Sequence, residues 1–123
     1  MAIRGIGVDA VDIERFRTSL TRTPSMRERL FTASELQYVA PKVDPVPSLA
    51  ARFAAREAVM KAMGLGLGAF GFHEVWVDRA DSGVPSLCIT GRALELAVDR
   101  GITSSHLSLT QSDLTTLAYV IAE

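Results

Sequence analysis

Glu57 and Lys61 stand one helical turn apart in the stretch Arg52-Phe53-Ala54-Ala55-Arg56-Glu57-Ala58-Val59-Met60-Lys61-Ala62-Met63-Gly64. Alanine, methionine and arginine dominate it, no proline interrupts it, and Gly64 stands where a C-terminal glycine cap belongs, so it reads as a helix. Wound at about 100° per residue, Leu49, Phe53, Met60 and Met63 form one stripe and six alanines cover most of the rest. No continuous polar face remains, which predicts a mostly buried helix. Ionised groups in such surroundings need partners, a metal or a charged ligand. One reading is a salt-bridged helix, because Glu57 and Lys61 have the favourable i,i+4 order. The other is a site, and the excess of Arg52, Arg56 and Lys61 over Glu57 then favours an anionic ligand.

Asp9, at the end of the strand pattern Ile3 to Asp9, is the second carboxylate of interest. With Glu57 it can share a hard divalent cation such as magnesium, which takes oxygen ligands, one or two of them carboxylates, plus substrate phosphates and water. The alternative is that Asp9 caps a turn and Glu57 pairs with Lys61 or an arginine. His106, Ser108 and Thr110 share the polar face of a later strand while Leu107 and Leu109 point inward. No acid stands near them to complete a hydrolase triad. Gly66-Leu67-Gly68-Ala69-Phe70-Gly71 matches G-x-G-x-x-G, but a dinucleotide loop must leave a strand and open a helix, and here the glycines follow a helix.

The elements that must position these groups are legible in outline. In the first strand Ile6 and Val8 are core candidates, and Gly5 and Gly7 allow close approach. Asp12 can cap a helix through Ile13, Phe16 and Leu20. A short turn runs through Met26 and Leu30. Thr32-Ala33-Ser34-Glu35 is a capping box for a helix ended by Pro41. Ser48 is the expected cap of the long central helix. His73 to Asp78 and Leu87 to Ile89 pair across a turn at Asp81-Ser82-Gly83. Gly91 to Arg100 is an amphipathic helix closed by Gly101. Ser105 to Thr110 and Thr115 to Ile121 are the last two strands. Early helices and late hairpins predict an α+β fold with a mainly antiparallel sheet around the long central helix, in one domain over residues 1–123.

Composition narrows the function classes. The 123 residues are 48% hydrophobic and 22% charged, enough for a packed core. A net charge of −1 gives no reason to expect nucleic-acid binding. The single cysteine, Cys88, excludes an intrachain disulfide and a cysteine-rich zinc site, and its apolar neighbours suggest a buried structural thiol. No segment resembles a signal peptide or a membrane span, so a cytoplasmic protein is expected. Arg15, Arg17, Arg22, Arg27 and Arg29 cluster with Glu28 as their only acid. They read either as a solvated basic helix surface or as a docking face for an acidic protein.

Three motifs in order resemble one family over essentially the whole chain: Gly5-Ile6-Gly7-Val8-Asp9, the Arg52–Gly64 stretch, and His106-Leu107-Ser108-Leu109-Thr110. They look like holo-acyl-carrier-protein synthase, the short type of 4′-phosphopantetheinyl transferase. The resemblance implies that coenzyme A donates its phosphopantetheine arm to a serine of apo acyl carrier protein, for fatty acid biosynthesis, and that 3′,5′-ADP leaves. It implies Asp9 and Glu57 as magnesium ligands and Asp9, Glu57 and Lys61 as the catalytic set. Arg52, Arg56, Gly64, His106, Ser108 and Thr110 are the implied coenzyme A contacts, with Gly64 and the loop after it along the pantetheine path. Arg15 matches an arginine that docks the carrier protein, and Arg22 and Arg27 extend that face. A homotrimer with sites between subunits is implied as well. The chain departs from the family pattern at Arg56, where lysine is usual, and at Gln111, where a second histidine is frequent.

Overall fold

The computed structural model describes residues 2–123. In chain order it holds β1 (Gly5–Asp12), α1 (Ile13–Arg22), α2 (Met26–Leu30), α3 (Ala33–Val39), α4 (Val46–Ala62), β2 (Val75–Arg79), β3 (Pro85–Ile89), α5 (Gly91–Asp99), β4 (Ser105–Gln111) and β5 (Thr115–Ala122). β1, β5 and β4 form one antiparallel sheet in that order, and β2 and β3 form a separate hairpin. The expected α+β architecture with antiparallel strands around a long central helix is the one observed.

α4 lies across the inner face of the three-stranded sheet, and its small residues explain how. Ala50, Ala54, Ala55 and Ala58 are each fully buried. Opposite them β1 presents Gly5 and Gly7. A Cβ on Gly7 would sit 1.8 Å from the Ala58 carbonyl oxygen, and one on Gly5 would sit 1.8 Å from that of Ala62. Strand and helix backbones therefore touch without side chains between them. Because a strand alternates its faces, this contact turns Ile6 and Val8 outward, where they are 53% and 44% exposed. The expectation that they enter the core is corrected: the close approach of α4 excludes any side chain there.

Capping follows the sequence in part. Asp12 Oδ1 accepts from the Arg15 backbone N–H at 2.9 Å. Thr32 and Glu35 make both bonds of the capping box. Gly64 takes φ +70 just beyond α4. Ser48, expected to cap α4, lies inside it. The helix starts at Val46, whose N–H is taken by the Asp44 carboxylate, and Pro47 fits the first turn, where its missing donor is not needed. His73 sits in a short 3₁₀ turn (Phe72–Glu74) rather than in a strand, with its Nε2 2.6 Å from the Glu28 carbonyl oxygen. Cys88 is half-buried and its thiol donates to Asp78 at 3.1 Å; burial first, then that carboxylate, pushes its pKa up to about 11, so it is no nucleophile.

One ion pair ties the elements together. Arg56 and Glu35 both have fully buried side chains. Arg56 donates to Glu35 at 2.5 and 2.9 Å, to the Phe72 carbonyl at 2.7 Å and to the Arg52 carbonyl at 3.3 Å. Glu35 also accepts from the backbone N–H groups of Thr32 and Val77. α3, α4, β2 and the chain entering β2 thus meet at one satisfied pair. Removing one partner leaves the other charged and dry, so Arg56→Ala should lose about 3–5 kcal/mol of stability in denaturant titration. Gly7→Ala should lose about 3 kcal/mol or more by the same measurement, because backbone rather than a flexible side chain blocks the added methyl.

Candidate active site

The glycine contact sets where the site forms. Two residues beyond Gly7 the strand again faces α4, and Asp9 arrives there as the first inward residue able to carry charge. Glu57, one residue before Ala58, meets it. Asp9, Glu57, Arg15 and Phe53 line a groove of about 390 Å³ along the free edge of β1, closed on its far side by α1. Lys61, one turn further along α4, donates to Asp9 Oδ1 at 2.9 Å and to the Val8 carbonyl at 3.1 Å. The lysine thus pairs with Asp9 and not with its helical neighbour. Glu57 is left half-buried without a cationic partner within 4 Å among the described residues. Burial, reinforced by the Asp9 charge and partly offset by Lys61, raises its pKa above the usual glutamate value. Two carboxylates held together, one of them desolvated and unpaired, leave a demand for positive charge.

Arg52 lies on another side of α4, 1% exposed. Its guanidinium donates to the Ser48 carbonyl at 3.2 Å and sits 4.5 Å from the Tyr38 ring centre, while its buried Nε has no partner. Burial lowers its pKa, Glu35 opposes that shift and Arg79 reinforces it. Arg52 shares a pocket of about 200 Å³ with Ser48, Arg79, Thr110, Gln111 and Thr116. Lys42 and Arg79 also approach the Tyr38 ring, at 5.2 and 5.9 Å. No acid lines this pocket, so its cations can hold an anion. Tyr38 and Arg79 escape a reading of the sequence, since nothing in their local patterns points to Arg52.

The other expected contacts divide. Thr110 reaches the Arg52 pocket. His106 and Ser108 do not: they lie on the outer face of the sheet, where the strand pairing sets them beside Ile121 and Tyr119. His106 Nε2 is 2.5 Å from Glu123 Oε1. Gly64 is exposed and borders a separate cleft with Lys61. Arg56 is corrected. Expected to contact coenzyme A, it is fully buried with its guanidinium committed to Glu35 and to backbone carbonyls. Arg15 and Arg22 are exposed and share a groove of about 420 Å³ on α1. Arg27 is half-buried on α2. Arg17, between them, is held by Asp44 and Glu14 and is not free.

No cluster of three or more His, Cys, Asp or Glu side chains able to hold a metal occurs among the described residues, and none of their helices is long and apolar enough to cross a membrane. Two carboxylates do suit magnesium, which completes its shell from water and substrate phosphates.

Comparison with known proteins finds relatives along essentially the whole chain. The chain is 46% identical to holo-acyl-carrier-protein synthase of Micrococcus luteus, covering 98% of this chain and 92% of that one. It is 44% identical to the Streptomyces avermitilis enzyme of the same name, over 100% and 99%. Its fold matches the crystal structure of holo-acyl-carrier-protein synthase from Neisseria meningitidis with a TM-score of 0.90 at 32% identity, covering 99% of each chain. It also matches that from Bacillus anthracis, solved in complex with coenzyme A (3′,5′-ADP), with a TM-score of 0.82 at 29% identity over 98% and 96%. A family model described as the 4′-phosphopantetheinyl transferase superfamily matches residues 5–117, and the chain belongs to that superfamily.

Proposed function

We propose that this protein is a holo-acyl-carrier-protein synthase, moving 4′-phosphopantetheine from coenzyme A to a serine of apo acyl carrier protein and releasing 3′,5′-ADP, in the service of fatty acid biosynthesis. The observation that carries it is the meeting of Asp9 and Glu57 in an open groove, with Lys61 bonded to Asp9 and the acid-free Arg52 pocket on another side of the same helix. The carrier serine oxygen attacks the β-phosphorus of the pyrophosphate and negative charge grows on the departing nucleotide. Lys61, fixed by Asp9 and the Val8 carbonyl, presents an ammonium to the phosphoryl oxygens. Arg52, with Arg79 and Lys42 about Tyr38, binds the nucleotide phosphates. Its desolvation strengthens that attraction.

Asp9 and Glu57 would hold magnesium. When bound, the ion supplies Lewis-acid stabilisation of the pyrophosphate oxygens. Glu57 is also the group placed to accept the serine proton, and its raised pKa suits that task. Arg15 and Arg22, with Arg27 nearby, form the face that docks the acidic carrier. The single unpaired cysteine suits the reducing cytoplasm. One domain over 1–123 accounts for all of this, since both core clusters draw on α4.

The active form is a homotrimer with sites between subunits. Ile6, Val8 and Tyr119 form an exposed apolar face on one sheet, 53%, 44% and 40% exposed. His106 and Ser108 lie on that face, away from Lys61, so their contact with coenzyme A requires a neighbouring copy to bring them in.

Three outcomes follow. Glu57→Gln should cut transfer more than about hundredfold, read as the mass gain of the carrier. The same variant without metal should melt at or above the wild type at neutral pH. Because folding raises the Glu57 pKa, its ionised form costs stability, and the difference should close as pH falls through that raised range toward the ordinary value. Tyr119→Glu should convert a trimer into monomers in light scattering and abolish transfer with it.

A further inference from the structure

α3 packs beside α4, and two side-chain pairs cross between them. Glu35 meets Arg56 at 2.5 and 2.9 Å. Three residues on along α3 and four back along α4, Tyr38 meets Arg52, whose Cζ lies 4.5 Å from the ring centre. Both arginines are buried. The first pair sets a guanidinium on a carboxylate and cancels its charge. The second sets a guanidinium on an aromatic face. A ring attracts a cation through its quadrupole and fills the space beside it, but it carries no charge of its own to cancel.

The neighbours of Arg52 leave its charge standing. No carboxylate approaches within 4 Å of Arg52, Arg79 or Lys42 among the described residues. Glu35, the acid whose field reaches Arg52, is engaged by Arg56. Lys42 and Arg79 stand about the same ring at 5.2 and 5.9 Å, and Arg79 donates to the Gly83 carbonyl at 2.6 Å. Arg52 donates to the Ser48 carbonyl at 3.2 Å and keeps its buried Nε without a partner. A ring and carbonyls orient these cations without neutralising them. Tyr38 is 42% exposed, so truncating it opens little of the core, and the Glu35–Arg56 pair still holds α3 against α4.

We propose that Tyr38 is a positioning residue for the nucleotide: its ring holds the Arg52 guanidinium in the pocket with its charge intact, so that an arriving phosphate, and no group of the protein, supplies the counter-charge. The inference rests on the reading of Arg52 as a cation for the nucleotide phosphates, and it names the residue that keeps that cation available. A carboxylate in place of the ring would satisfy Arg52 as Glu35 satisfies Arg56, and the pocket would lose its demand for an anion.

The test is calorimetric titration of the full chain with 3′,5′-ADP, with the melting temperature of each variant recorded alongside. Arg52→Gln is the reference and should weaken binding about tenfold or more. Tyr38→Phe, which keeps the ring face, should bind within about twofold of the wild type, and Tyr38→Ala should bind about five- to thirtyfold more weakly. In transfer assays the Tyr38→Ala loss should appear in the KM for coenzyme A and not in kcat. Tyr38→Glu separates positioning from support. Its carboxylate should pair with Arg52, so this variant should melt above Tyr38→Ala yet bind 3′,5′-ADP no better than it. Binding that follows stability across the Tyr38 variants, or Tyr38→Ala binding like the wild type while Arg52→Gln binds weakly, overturns the positioning role and leaves the Arg52 reading intact. Wild-type binding that is absent, or unchanged by Arg52→Gln, overturns both.

Discussion

The contact between the bare backbone of β1 at Gly5 and Gly7 and the alanine surface of α4 is the constraint on which the rest depends. It fixes the separation of sheet and helix at a value that no larger side chain permits. It also fixes strand parity. With Gly5 and Gly7 inward, Asp9 must be inward too, and Ile6 and Val8 must be outward. One short range of contact therefore places the Asp9 carboxylate beside Glu57 and leaves Ile6 and Val8 on an apolar outer face. A slip of one residue would bury Val8 and Ala10 and send Asp9 into solvent.

Around that contact the helix spends its two buried arginines differently. Arg56 is satisfied on every side by Glu35 and by carbonyls, and so is structural. Arg52, a turn earlier and nearly as buried, receives one carbonyl and an aromatic face and keeps a nitrogen unpaired. Burial depresses the pKa of a cation that lacks a counter-charge, and the strain is relieved only by an anion arriving from outside. The same logic holds on the acidic side, where Asp9 has Lys61 while Glu57 is left exposed to the field of Asp9. Glu57 in the groove and Arg52 in its own pocket are thus the two charges of α4 left without an ion-pair partner.

Much of this was legible in the sequence and some was not, for identifiable reasons. The Thr32–Glu35 capping box, the Asp12 cap, the Gly64 terminus and the buried character of α4 follow from local rules, because each involves residues within a few positions of one another. Asp9, Glu57 and Lys61 could be singled out as charges on or beside an alanine helix, but not their pairing: the i,i+4 rule offers Glu57 to Lys61, and tertiary packing gives Lys61 to Asp9 instead. Arg52 and Arg56 could not be separated: the difference lies in Glu35, 21 residues before Arg56 and reached only through tertiary packing. Ile6 and Val8 misled because apolar residues are ordinarily the ones inside, and glycine as the packed surface reverses that rule. His73 and Ser48 misled through element boundaries, where a single turn decides between strand and 3₁₀ or between cap and first turn.

The outer face of the sheet follows from the same constraint. A monomer that kept Ile6, Val8 and Tyr119 in water would bear an apolar patch with nothing to cover it, while its own Lys61 and His106 remained on opposite sides of the sheet. Both facts have the same origin in β1 parity. Two glycines that have no side chain of their own set which residues of β1 meet α4 and which stay on the outer face beside His106 and Ser108.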